Sequence, residues 1–223
     1  MEMKPMKLLK KYKHFIIVPI FFLFYMSVFY YVENRTGVHI HKISFGPDQY
    51  VPFCEYFIVP YFLWFFYIAA AVVYFGIFSK DRTDYYCLIT TLGIGMTLFL
   101  IISLIFPNGL NLRPSYFARD NIFVDMVRYL YSIDTSTNVF PSIHVFNSVA
   151  VAIAIAAHPT LRRHPLIVHA STLLAVLIVC STVFLKQHSL IDVMGALALN
   201  WICYRLIYRP RYVLERKRVI EPR

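Results

Sequence analysis

At 223 residues, with 59% hydrophobic, 17% aromatic and only 15% charged side chains, the chain is too apolar for a soluble domain. Its apolar residues come in blocks of membrane-spanning length. The net charge of +10 would suggest nucleic acid in a soluble protein, but the basic residues flank the apolar blocks, so they mark topology and lipid contact and no nucleic-acid partner is expected.

The predicted architecture is all-α, a single membrane domain over residues 1–223 with six transmembrane helices. Lys4, Lys7, Lys10, Lys11 and Lys13 precede the first span, 15–32. That run is long and bulky and ends at Glu33-Asn34-Arg35 without a small-residue cleavage site, so it reads as a retained span rather than a signal peptide. A loop with Gly37, Gly46, Pro47 and Pro52 follows, with a short extended piece expected at 38–44. His39 and His41 alternate there, but no third ligand is in sight and they read as solvated histidines. Asn34-Arg35-Thr36 is a formal glycosylation sequon, meaningful only in a secretory pathway.

Spans two and three, 56–78 and 85–106, meet at the charged turn Ser79-Lys80-Asp81-Arg82-Thr83-Asp84, and Gly93 and Gly95 suit close helix approach in span three. Residues 107–140 form the longest connection, and long connections tend to carry function. Within it Phe123, Met126, Val127 and Leu130 recur at helical spacing opposite Asp120, Asp125 and Arg128, which predicts a short amphipathic helix lying at the interface over the site. Span four, 141–157, opens with Pro141-Ser142-Ile143-His144. Thr135 to Asn138 offer capping side chains, so Ser142 and His144 are expected in its first turn. Span five covers 166–184, span six 190–208, and a basic tail follows. Cys54, Cys87, Cys180 and Cys203 lie in or beside apolar runs, with no spacing for a disulfide framework or a zinc site. His14, His158, His164 and His169 read as interfacial residues.

Six spans place both termini on one side. Of the 22 Lys and Arg, 16 fall on that side and six, Arg35, Lys42, Arg113, Arg119, Arg128 and Lys186, on the other, so both termini are expected in the cytoplasm. The long connection and the starts of spans four and six then share the outer face. His188 and Asp192, four residues apart, would lie on one helical face if the chain is helical there, with the carboxylate orienting the imidazole. An aspartate inside a span costs several kcal/mol unless it is paired, roughly, and so points to function. Two helix N-termini with Arg113, Ser142 and Lys186 nearby make an anion site. His188 can attack phosphorus, and His144 on the facing helix can protonate the leaving oxygen, with no metal or other cofactor required.

These residues resemble the type 2 phosphatidic acid phosphatase superfamily. Pro141-Ser142-Ile143-His144 matches its second motif. Ser181, His188 and Asp192 match its third, and Arg113-Pro114 the end of its first. The resemblance implies His188 as the phosphate-accepting nucleophile, Asp192 as its orienting partner, His144 as the acid, and Arg113, Ser142 and Ser181 among the phosphate-binding residues. Two cations of the pattern are replaced: Phe106 stands where the first motif has lysine, and Thr182 where the third has arginine. Lys186 can restore one if span five stays helical that far, and Arg119 or Arg128 can supply the other. The expected function is hydrolysis of a lipid phosphomonoester or diphosphate at the outer face of the plasma membrane. The replaced cations also make the chain similar to the branch that transfers phospho-headgroups between lipids. A non-catalytic lipid-phosphate binder or transporter is the further alternative. Lipid phosphates and membrane lipids are the expected partners, and the sequence leaves the oligomeric state open.

Overall fold

The computed structural model describes residues 12–43, 45–79 and 81–210. The basic residues Lys4, Lys7, Lys10 and Lys11, Lys80 and the tail from 211 onward lie outside the described residues. Among the described residues seven α-helices carry the fold: α1 (Ile17–Glu33), α2 (Ile58–Val73), α3 (Arg82–Ile105), α4 (Ile122–Ile133), α5 (Ile143–Ala157), α6 (Pro165–Phe184) and α7 (Leu190–Cys203). Single 3₁₀ or π turns extend several of them, so that five continuous stretches, Lys13–Glu33, Glu55–Phe78, Arg82–Ile105, Pro165–Phe184 and Leu190–Tyr208, are long and apolar enough to cross a membrane. The protein is an all-α multi-pass membrane protein.

The sixth apolar helix, α5, is shorter. Its 15 residues rise only ~22 Å, less than the ~30 Å of a bilayer's hydrocarbon core. It can be short because other helices surround it: α5 packs against α2, α3, α6 and α7, and Val145, Phe146, Ala150, Val151 and Ala154 are buried in the main core. Small residues let the neighbours in. A Cβ on Gly95 of α3 would stand 2.0 Å from the Phe146 ring, so the glycine is what allows α3 and α5 to touch. Gly93 does not share that task, since nothing lies within 4 Å of it and it lines a groove of about 500 Å³ between α1 and α3. Inside the core, Asn200 of α7 donates to the Phe146 carbonyl at 3.1 Å, a polar tie between the two helices that carry the histidines' motifs.

The connection after α3 folds back over one end of the bundle. β1 (His41–Lys42) pairs in parallel with β2 (Asn108–Gly109), which realises the extended piece expected near residue 38. The expected amphipathic helix is α4. Its buried face is Val124, Val127 and Leu130, with Phe123 and Met126 only partly covered, so the face is rotated slightly from the one the spacing indicates. Val127 and Leu130 pack on Ile58, Tyr61 and Leu185, which fixes α4 across the start of α2 and the end of α6. His39 and His41 meet edge to face at 4.7 Å, and His41 stacks on Phe106 at 4.5 Å. Among the described residues no group of three His, Cys, Asp or Glu side chains is arranged to hold a metal ion.

Candidate active site

Three loop closures bring the motif residues together. The first is at the end of α6. Lys186 takes a left-handed conformation (φ 55°), and the Lys186 and Gln187 amides return to the carbonyls of Val183 and Thr182 at 3.1 and 3.0 Å. This Schellman closure stops the helix at Phe184, so Lys186 is not on the helical face of Thr182, contrary to the expectation. Instead its ammonium donates to the carbonyls of Asp48 and Val51. Burial lowers the Lys186 pKa, with Asp48 opposing the shift. Thr182 itself is buried and bonds back to Val179, as a packing residue would. Ser181 is likewise buried, its hydroxyl donating to the Ile178 carbonyl at 2.6 Å.

The second closure starts α7. Ser189 is its N-cap, so His188 stands just outside the helix and not on its face. Asp192 at the third helical position reaches back: its Oδ2 accepts the Ser189 amide at 2.8 Å and lies 3.5 Å from His188 Nδ1. Asp192 thus stands beside His188 through a capping box rather than through helical stacking, at a distance where His188 Nδ1 makes no hydrogen bond. Both side chains are shielded, His188 at 8% and Asp192 at 0% exposure, so the imidazole feels that carboxylate with little screening. Asp48, from the 3₁₀ turn Gly46–Tyr50, completes the cap by accepting the Leu190 amide at 2.8 Å and the Ser189 hydroxyl.

The third closure starts α5. Its N-cap is Ser142, whose hydroxyl accepts the Val145 amide at 3.4 Å, and not the Thr135 to Asn138 run, so Ser142 precedes the helix and only His144 lies in its first turn. The run is held elsewhere, Thr135 and Asn138 donating to the Glu33 carboxylate, and just after it Asn108 Oδ1 accepts the Val139 and Phe140 amides at 2.9 and 3.0 Å. The Ser142 amide donates to the Asp192 carbonyl at 3.3 Å, joining the two helix starts directly. As a result the His144 and His188 rings lie 5.8 Å apart. Tyr61 and Trp64 of α2 flank His144, with ring centroids 4.7 and 4.4 Å away.

Arg113 arrives beside this pair. Its guanidinium donates to the carbonyls of Tyr131, Asp134 and Thr135 and to Gln187 Oε1 at 2.6 Å, and stacks over Tyr131 at 4.4 Å. Gln187 in turn donates to Asp134 Oδ2 at 3.1 Å, which also accepts from the Tyr61 hydroxyl at 3.3 Å. Burial holds the Asp134 carboxyl above the usual carboxylate range, while His188 and Arg113 pull it down. Arg119 and Arg128, the other expected cations, are committed to carboxylates: Arg119 to Glu55 at 3.1 Å, and Arg128 to Asp120 and Asp125 at 3.1 and 2.8 Å. Asp48, Gln187, Asp134 and Tyr61 are the site-forming residues that the sequence analysis missed. A signal existed for the cap, since Ser189-x-x-Asp192 is itself a capping pattern.

The fold and this cluster define a multi-pass helical membrane protein with two histidines gathered at one end of the bundle. A sequence model of the PAP2 superfamily matches residues 84–215, and the chain belongs to that superfamily. Its members are generally phosphatases, so the chain falls among enzymes of phosphate esters, for which a lipid phosphate suits a body of apolar helices. No curated protein and no solved structure matches it.

Proposed function

We propose that the protein cleaves a phosphate ester of a lipid through a phosphohistidine on His188, at the outer membrane face and without a metal ion. The observation that carries this reading is the approach of His144 and His188 to 5.8 Å, with Asp192 on the Nδ1 side of His188. With Nδ1–H turned toward the carboxylate, Nε2 keeps its lone pair and attacks phosphorus. The N–P bond forms as the P–O bond to the leaving alkoxide breaks, and protonated His144 gives that oxygen its proton. In the second half-reaction His144 takes a proton from water, the hydroxide oxygen bonds to phosphorus, and Nε2 leaves. The starts of α5 and α7, which meet at the Ser142–Asp192 bond, point backbone amides and positive dipole ends to this place, and Arg113 adds a full charge. Together they supply the charge stabilisation that a metal ion gives in other phosphoryl-transfer sites.

Transfer to a lipid alcohol in place of water is the second reading. It is favoured by the replaced cations Phe106 and Thr182 and by the engagement of Arg119 and Arg128 with carboxylates. A panel of lipid phosphates given to the purified protein, following free phosphate and new lipids together, separates the two. His188→Ala is expected to abolish turnover and acid-labile labelling of the protein by ³²P while the protein still folds, and a chelator is expected to leave the wild type active. Retained turnover in His188→Ala, or lipid movement across vesicles with neither release nor exchange, overturns the enzymatic reading.

A further inference from the structure

The proposed chemistry does not use every ionisable group of the site, and Asp134 is one that it leaves. Asp134 is partly buried at the end of α4, next to the proposed nucleophile yet outside the triad. The charges and titratable groups that face it are Arg113, His188, Tyr61 and Glu33. Its side chain does not neutralise Arg113 by a direct ion pair: Gln187 stands between them, donating through its amide nitrogen to Asp134 Oδ2 and accepting from the Arg113 guanidinium at Oε1. On the other side Tyr61 gives Oδ2 its hydroxyl and lays its ring on His144. The chain Arg113–Gln187–Asp134–Tyr61 therefore runs from the guanidinium to the proposed acid, one residue away from His188 at Gln187. It places a carboxylate beside a site whose motif pattern has lost two cations.

Resting on the proposed reading of that site, we propose that Asp134 is a specificity-determining residue that selects singly charged phosphodiesters over doubly charged phosphomonoesters. A phosphomonoester carries about −1.5 to −2 at neutral pH because its second pKa is near 6, whereas a diester carries a single charge. Both bring one negative charge to Arg113 and the helix starts. The monoester brings a second, and the cations expected to meet it are engaged elsewhere: Lys186 is folded onto the Asp48 turn and Arg119 and Arg128 sit in ion pairs. That second charge meets the Asp134 and Asp192 carboxylates in a site screened from water, where like charges a few ångströms apart repel strongly. The first half-reaction is unchanged in form: Nε2 of His188 bonds to phosphorus, one ester oxygen leaves with the His144 proton, and the intermediate keeps the other ester group. Water or an alcohol then releases it.

The test compares two soluble probes that differ by one methyl group and one charge, dihexanoyl phosphatidic acid and dihexanoyl phosphatidylmethanol. Binding is measured calorimetrically to the full chain in detergent, in the His188→Ala background so that nothing turns over. At pH 8 the diester is expected to bind on the order of tenfold more tightly, the effect of ~1.4 kcal/mol. The ratio should fall toward one at pH 5.5, where the monoester gains a proton. Adding Asp134→Asn should cut the pH 8 ratio to less than about threefold, chiefly by improving the monoester. Asp134→Ser, which removes the charge with a smaller group, serves if the asparagine variant does not fold. A purely structural loss would weaken both probes alike. Equal affinities, a preference for the monoester, or a ratio that Asp134→Asn leaves unchanged overturns the proposal. Turnover that survives in His188→Ala overturns the phosphohistidine instead, and the binding ratio still decides the role of Asp134.

Discussion

Single side chains hold the site together where no regular element does, and Asn108 shows how. It is fully buried, its Oδ1 takes the Val139 and Phe140 amides, and its Nδ2 donates to the Phe106 carbonyl at 2.9 Å. Asn108→Ala would leave two shielded amides without a partner, at roughly 1–3 kcal/mol each, in the strand of chain that leads to Ser142 and His144. A drop of several degrees in the thermal midpoint is expected, together with a loss of turnover larger than the unfolded fraction explains. Asn108→Asp keeps an acceptor for both amides and should recover most of both quantities. If the alanine variant is as stable and active as the wild type, Asn108 is not the anchor of this segment. The sequence places Asn108 in the long connection after span three, where the structure makes Asn108–Gly109 a short strand. That the asparagine binds residues about 30 positions later is a long-range choice of partner, and hydrophobic periodicity carries no trace of it.

Among the elements, the start of α7 decides the placement of the proposed nucleophile, and a loop far away in sequence secures it. Asp48 accepts the Leu190 amide and the Ser189 hydroxyl while remaining 2% exposed. Asp48→Ala removes a helix cap and a buried acceptor together, a cost of about 1–3 kcal/mol. It should also loosen His188, the residue just before the cap. The expected result is a lowered thermal midpoint with kcat reduced more than KM is raised, because positioning of the reacting group is lost rather than substrate contact. An unchanged kcat would separate the cap from the site. At this scale the nearness of His188 and Asp192 was legible from their spacing, but the reason for it was not. Helical stacking is one way for residues four apart to meet, and the capping box is another. The choice between them rests on where the helix begins, which Ser189 decides.

At the level of the whole molecule, the apolar blocks were legible because a bilayer demands long uninterrupted helices and leaves few alternatives. The cations were not, because a basic residue can pair with any oxygen the fold brings near: Lys186 with loop carbonyls, Arg119 with Glu55. The same logic bears on orientation. Glu33, at the end of α1, accepts from Asn138 Nδ2 at 2.7 Å and from the Thr135 hydroxyl, so that end of α1 shares a face with the loop before His144. The Lys13 end of α1 then lies on the opposite face, together with the Arg162–Arg163 turn between α5 and α6. Basic residues near span ends hold their loops in the cytoplasm, so the histidines should open outward. Cysteine labelling decides it. In a background with Cys54, Cys87, Cys180 and Cys203 changed to alanine, Tyr116→Cys, at a position 77% exposed, should react with a membrane-impermeant maleimide on intact cells. Arg162→Cys should react only after permeabilisation. The reverse pattern would place the site on the cytoplasmic leaflet and make its lipids the substrates, since a lipid phosphate reaches His188 only from the leaflet that the site faces.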